Sequence, residues 1–293
     1  MVGLGACPLN PPDGEGHGVY PSRDGGALQT RDGEAMLIDA DVHISPSPQG
    51  GNSIGIDELL RRMDRAGVDR AVTWLQPPYV RSETGAGNAY VARAMRAHPD
   101  RIIGFGWADP NLGVDAAIAE VRRAVEEYGV FGVKLNGAQN GFRIDDPELA
   151  LPVVEAVAAA GVVLALHVGA DAYDQTHPAR VATIARRYPE LRILVVHMGG
   201  AAFHDLSAAA IDVARAFPNL TLVGSAVRAI PILAAIRTLG AERVCFGSDT
   251  PFELMHVELA KYQALLEDEV TLAERDLVMG GNVARVLGLG DAT

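Results

Sequence analysis

The chain predicts an α/β fold, a (β/α)8 TIM barrel with extra C-terminal helices. Three observations point to it. From Met36 onward, eight short apolar runs alternate with amphipathic stretches of helical spacing. The helical stretches end in glycine just before the next run, at Gly67, Gly129, Gly161 and Gly240. The runs also end in polar, chemically capable residues. Short buried strands alternating with helices make a parallel sheet covered by helices, and eight such units favour a closed barrel over an open sheet.

The strand-like runs are MLIDADVH, DRAVTWLQ, RIIGFGWA, VFGVKLN, GVVLALHV, LRILVVH, LTLVGS and RVCFGSD. Between them, IDELLRRMDRAG, VDAAIAEVRRAVEEYG, DPELALPVVEAVAAAG and HPARVATIARRYPE repeat apolar residues at helical spacing. Glycine tolerates positive φ, so a glycine after the last periodic residue reads as a helix stop. The closing stretch TLAERDLVMGGNVARVLGL reads as one or two further helices. His98, before Pro99, reads as closing a helix, and His177, before Pro178, as opening one.

Residues 1–35 read as a flexible Gly/Pro-rich N-terminal extension, with eight Gly and four Pro in the first 33 positions and little hydrophobic periodicity. Residues 36–293 read as one barrel domain; a length of 293 residues does not require a second. The net charge of −12, without a Lys/Arg run, argues against nucleic acid and anionic membranes as partners. No apolar stretch reaches membrane-spanning length. With two cysteines, Cys7 in the extension and Cys245 inside an apolar run, a disulfide framework is not expected, and the cytoplasm is the expected compartment. Cys245 reads as a small buried hydrophobe.

Five residues fall where a barrel places its chemistry, at the carboxyl ends of strands 1, 5, 6 and 8: Asp41, His43, His167, His197 and Asp249. Asp41 and His43 are two apart on one strand, so both point the same way and can chelate one cation. Each alone has an ordinary structural reading: a strand-end Asp capping a turn, a hydrogen-bonded core His, an Asp N-cap before Pro251. Together they supply metal ligands, a proton carrier and an oxyanion partner. Lys134 and Asn136, two apart at the end of strand 4, are candidate substrate-binding residues, with a buried structural charge pair as the other reading of Lys134. Arg228 after strand 7 is a candidate for an anionic substrate group or for a surface salt bridge, and Trp107 after strand 3 for a pocket wall or simple packing. The TrpLeuGlnProPro segment reads as a rigid loop over the site.

The chain resembles the amidohydrolase superfamily, in its amidohydrolase-related branch, over about residues 36–288. The resemblance rests on IDADVH, MDRAGVDRAV, GFGWADPN, GVKLNG, LALHVG, RYPELRILVVHMGG, FGSDTPF and GNVARVLGL. It implies one divalent metal ion, Zn²⁺ first and Mn²⁺ or another ion as the alternative. The ion's ligands would be Asp41, His43, His167 and Asp249, with His197 and Asp249 catalytic. Strand 1 in that branch often carries His-x-His, and Asp41 departs from it, which hardens the site and weakens the case for Zn²⁺. A carbamylated Lys134 bridging two metals, as in binuclear relatives, is the less favoured reading. A small-molecule substrate is expected, with a homodimer as a candidate assembly. The first expectation for activity is metal-dependent hydrolysis of a small polar amide, ester or lactone. The alternative is non-oxidative decarboxylation of an unsaturated or aromatic carboxylic acid. The five residues serve either route.

Overall fold

The computed structural model describes residues 35–47, 52–77, 80–201 and 205–289. Of the extension expected over residues 1–35, all but Ala35 lies outside the described residues, as do Cys7, His17 and His204. Eight parallel strands follow chain order around a barrel, each paired with the next: β1 (Ile38–Ile44), β2 (Arg70–Leu75), β3 (Ile102–Trp107), β4 (Gly132–Leu135), β5 (Val163–Gly169), β6 (Ile193–Ala201), β7 (Leu220–Val223) and β8 (Val244–Cys245). The expected (β/α)8 barrel is the observed fold.

β8 is short as a ladder strand, but the chain runs on beside β1 and closes the ring. Ala40 N–H donates to Phe246 O at 3.0 Å, His43 N–H to Thr250 O at 2.8 Å and Asp249 N–H to Asp41 O at 2.9 Å. These bonds fix Asp249 against the Asp41–His43 strand.

Alternation along the strands splits the core in two. Leu164, Leu166, Ile193, Val195, Leu220, Leu222 and Val244 pack outward under the helices. Val72, Trp74, Ile103, Phe105, Val163, Ala165, Leu194, Val196, Val223 and Cys245 fill the barrel, so Cys245 is the buried hydrophobe expected. Gly132 makes room for this filling. A Cβ there would sit 2.3 Å from Phe105 Cε1 and 2.4 Å from Val163 O.

The four predicted stop glycines all take positive φ, and His98 and His177 cap their helices as expected. The closing segment is a helix (Leu272–Asp276), a π-helical turn (Leu277–Gly281) and a helix (Asn282–Leu287) in direct succession. Gly280 lets it seat against the start of β1, where a Cβ would meet Met36 O at 2.0 Å. No helix among the described residues is long and apolar enough to cross a membrane.

Candidate active site

β1 carries a one-residue irregularity. Asp39 pairs with Ala71, but Val42 pairs with Thr73, so three steps on β1 match two on β2. An extra residue reverses the inward–outward phase. Before it, Ile38 and Ala40 fill the barrel. After it, Val42 and Ile44 pack outward, which leaves Asp41 and His43 facing in. Gly247 on the β8 side leaves space for them, since its Cβ would lie 3.2 Å from Asp41 Cβ.

Asp41 is fully buried. Its Oδ2 accepts the Ser225 hydroxyl at 2.5 Å. Its Oδ1 has no hydrogen-bond partner, and lies 3.3 Å from His43 Nε2 and 3.5 Å from Lys134 Nζ. His43 donates from Nδ1 to Leu75 O at 3.2 Å, and its Nε2 receives the Trp74 indole N–H at 3.1 Å. Asp249 Oδ1 is 3.3 Å from the same Nε2. An indole can only donate, so Nε2 is the accepting nitrogen in that bond. The two carboxylate oxygens therefore converge on a nitrogen whose one lone pair the indole occupies, so His43 can ligate an ion only by giving up the Trp74 bond.

A cation fits. Zinc-type bonds of about 2.0–2.2 Å put neighbouring ligand atoms about 3.0–3.5 Å apart, which the 3.3 Å separations match. Donor atoms of Asp41, His197 and Asp249 also lie within 4.8 Å of one another, as ligands of one ion do. Two carboxylates with imidazole suit a hard or borderline divalent ion.

The charges are strongly coupled. Burial alone would raise the Asp41 carboxyl, but Lys134, His43 and His197 outweigh it and hold it well below the ordinary range. Burial and Lys134 oppose charge on His43, yet the carboxylates of Asp249 and Asp41 keep its pKa above the usual value. Burial lowers Lys134, with Asp41 and Asp249 acting against it. Burial pushes Asp39 up to about 7; its Oδ1 accepts the N–H groups of Asp41 and Ser248.

His197 ends the regular part of β6. Val196 is already inward, so alternation would turn His197 out. Instead His197 and Met198 adopt φ of 65° and 37°, and Asp249 φ of 59°. Left-handed backbone at non-glycine residues costs on the order of 1–3 kcal/mol each, and such strain gathers at functional sites. The His197 ring is then held by Nδ1 on Ser225 O at 3.1 Å, its centroid 4.6 Å from that of His167.

His167 is inward on β5, but its Nε2 lies 2.8 Å from Asp171 Oδ2, outside the cation-suited group. Burial lowers the His167 pKa below the ordinary value, against the Asp171 hydrogen bond, which raises it. Asn136 lines the mouth and accepts Gln139 N–H at 2.9 Å. The cavity, of about 370 Å³, is lined by Asn136, Gln139, His167, Asp171, His197, Asp249 and Phe252 among others.

For three of the substrate-binding candidates the structure shows the structural alternative. Trp107 does not wall this cavity: it is wholly buried, and its indole N–H donates to Asn140 Oδ1 at 3.0 Å, in a network where Asn140 also donates to Asp109 and Asp109 pairs with Arg81. Arg228 is turned to solvent, 78% exposed, and pairs with Asp205 at 2.9 Å. Lys134 has no exposed surface and lies beneath the mouth against Asp41, so it is out of a substrate's reach. The TrpLeuGlnProPro loop is likewise not a loop at its start, because Trp74 and Leu75 belong to β2.

Ser225, Trp74 and Asp171 were missed from sequence. A serine or tryptophan in an apolar run carries no signal of a site, although Asp171, four residues after His167, sits on the loop where a barrel adds function.

The amidohydrolase family profile matches residues 38–289. The chain is 27% identical over 239 residues to 2-amino-3-carboxymuconate-6-semialdehyde decarboxylase of Dictyostelium discoideum, covering 69% of this chain and 65%, just under two thirds, of that relative. It is 27% identical over 253 residues to gamma-resorcylate decarboxylase of Polaromonas sp. (strain JS666 / ATCC BAA-500), covering 67% of this chain and 77% of that one. The solved structure of a dihydroxybenzoic acid decarboxylase from Polaromonas sp. JS666, with bound manganese and the inhibitor 2-nitroresorcinol, superposes with a TM-score of 0.67 at 20% identity, over 87% of this chain and 98% of that one. At that identity it speaks for the fold alone. The expectation of hydrolysis is corrected by these relatives, which are named as decarboxylases and fit the alternative. With a matching profile across nearly the whole barrel and a site at its carboxyl rim, the chain belongs to the amidohydrolase family and is an enzyme.

Proposed function

We propose that the protein is a divalent-metal-dependent, non-oxidative decarboxylase of a small aromatic or unsaturated carboxylic acid. The observation that carries this reading is the convergence of Asp41, His197 and Asp249, whose donor atoms lie within 4.8 Å of one another, with His43 Nε2 3.3 Å from each carboxylate, in a chain with curated relatives named as decarboxylases. Asp41 and Asp249 would hold the ion with His43, once its Nε2 exchanges the Trp74 indole for it, and with His197 beside them. When bound, the ion supplies a Lewis acid that fixes and polarises substrate oxygens. Manganese in the Polaromonas structure and the two carboxylates here support Mn²⁺ ahead of Zn²⁺.

The residues divide the remaining work. Asp249 has the most exposed side chain of the Asp41, His43, His197 and Asp249 group, at 12%, so it is the one placed to move a proton at its free oxygen. It delivers a proton to the carbon bearing the carboxylate. The C–C bond then breaks, its electron pair stays on the ring or alkene, and CO₂ leaves. His197, oriented by Ser225, steadies the carboxylate oxygens. Asn136 and Gln139 offer neutral amides to other substrate polar groups, and Phe252 stands at the lip, 5.4 Å from His43.

The test is incubation of Mn²⁺-loaded protein in D₂O with a panel of ortho-hydroxybenzoates and unsaturated acids. CO₂ release together with one deuterium at the vacated carbon is expected. Absence of CO₂ from the whole panel overturns the reading.

A further inference from the structure

Lys134 is the cation among these carboxylates, and its placement is unusual. β4 directs Val133 and Leu135 outward, so Lys134 enters the barrel. It has no exposed surface, and its Nζ has no hydrogen-bond partner. The ammonium lies 3.8 Å from the centroid of the Trp74 ring and 5.9 Å from that of Trp107. An aromatic face attracts a cation without accepting a conventional hydrogen bond. Its nearest anion is Asp41 Oδ1, at 3.5 Å, the one Asp41 oxygen that no hydrogen bond occupies. That oxygen also faces His43 Nε2 at 3.3 Å. Lys134 and a bound divalent ion would therefore draw on the same carboxylate oxygen from two sides.

We propose that Lys134 is a built-in cation that shares the free oxygen of Asp41 with the bound ion, so that the site takes one divalent ion and holds it less tightly than its carboxylates alone would. A buried ammonium without a counter-charge is costly, and Asp41 provides one. The Trp74 ring fills the space on one side of Nζ, against growth of the lysine into a bridging carbamate. The inference rests on the metal reading proposed above.

The test compares Mn²⁺ binding to the wild-type protein and to Lys134→Met by titration calorimetry, with Lys134→Gln as a second variant. Removing a unit positive charge that faces a shared ligand is expected to tighten Mn²⁺ by about tenfold or more. A carbamylated or otherwise ligating lysine predicts the opposite, so unchanged or weaker binding overturns the proposal. Wild-type stoichiometry needs no variant: one Mn²⁺ per chain in saturating Mn²⁺ and bicarbonate, with Lys134 unmodified by native mass spectrometry, supports it, and two per chain overturns it. Binding by the variants but not the wild type overturns it, because the wild-type site would then take no ion. Binding by none overturns the metal reading itself, whereas binding by the wild type with unchanged variants overturns only the role of Lys134.

Discussion

Asp41 divides its two oxygens between structure and chemistry. Oδ2 is spent on Ser225, and Oδ1 is left between Lys134 and His43. Removing its charge strands the Lys134 ammonium in the barrel. Loss of one partner of a buried pair costs about 3–5 kcal/mol, so Asp41→Ala should lose about that much in urea unfolding of the metal-free protein. Unchanged stability would show that the pair does not hold the core. Asp249→Asn keeps the shape and hydrogen-bonding capacity at the rim but removes the proton carrier. Turnover should fall by about 10²–10⁴-fold, with a thermal midpoint near that of the wild type; retained turnover would remove Asp249 from catalysis. Away from the site, burial pushes the Cys245 thiol up to about 12. At pH 8 only about one molecule in ten thousand would carry the reactive thiolate. Peptide mapping after iodoacetamide treatment should find Cys245 unmodified in the native protein and alkylated after unfolding. Native alkylation would mean that the barrel interior opens.

The strand ends were legible in the sequence because apolar runs with a terminal Asp or His are a one-dimensional pattern. The way each end is aimed was not. Period-2 alternation correctly placed Asp41 and His43 on one face, yet only the irregularity in β1 turns that face inward after Ile38 and Ala40. Alternation alone would have turned His197 outward, and its left-handed backbone reverses that. Trp107 and Arg228 stayed open between substrate and structure for a related reason: position at a strand end says which rim a residue is near, but not whether an Asn140 or an Asp205 has already claimed its polar group. Packing inside the barrel is equally hidden in sequence, where Gly132 looks like any strand glycine. Gly132→Ala should clash with Phe105 and the Val163 carbonyl and destabilise by about 1–3 kcal/mol. Urea unfolding checks this, and a neutral effect would show that Phe105 yields easily.

Across the whole molecule, barrel closure and site assembly are one event. The backbone bonds that join the end of β8 to β1 also bring Asp249 to Asp41 and His43. The family and fold were readable from motif order and the eightfold alternation. Hydrolysis and decarboxylation were not separable, since both need a polarising cation and a proton carrier at this rim, and it is relatives named as decarboxylases that favour the second. The most direct measurement is CO₂ release from an ortho-hydroxybenzoate or unsaturated acid by chelated protein as Mn²⁺ is added back. If the site works as proposed, release is absent without the ion and rises in proportion to bound Mn²⁺ up to one equivalent per chain. Release that survives chelation, or none at full metal loading, would contradict a metal-dependent decarboxylase.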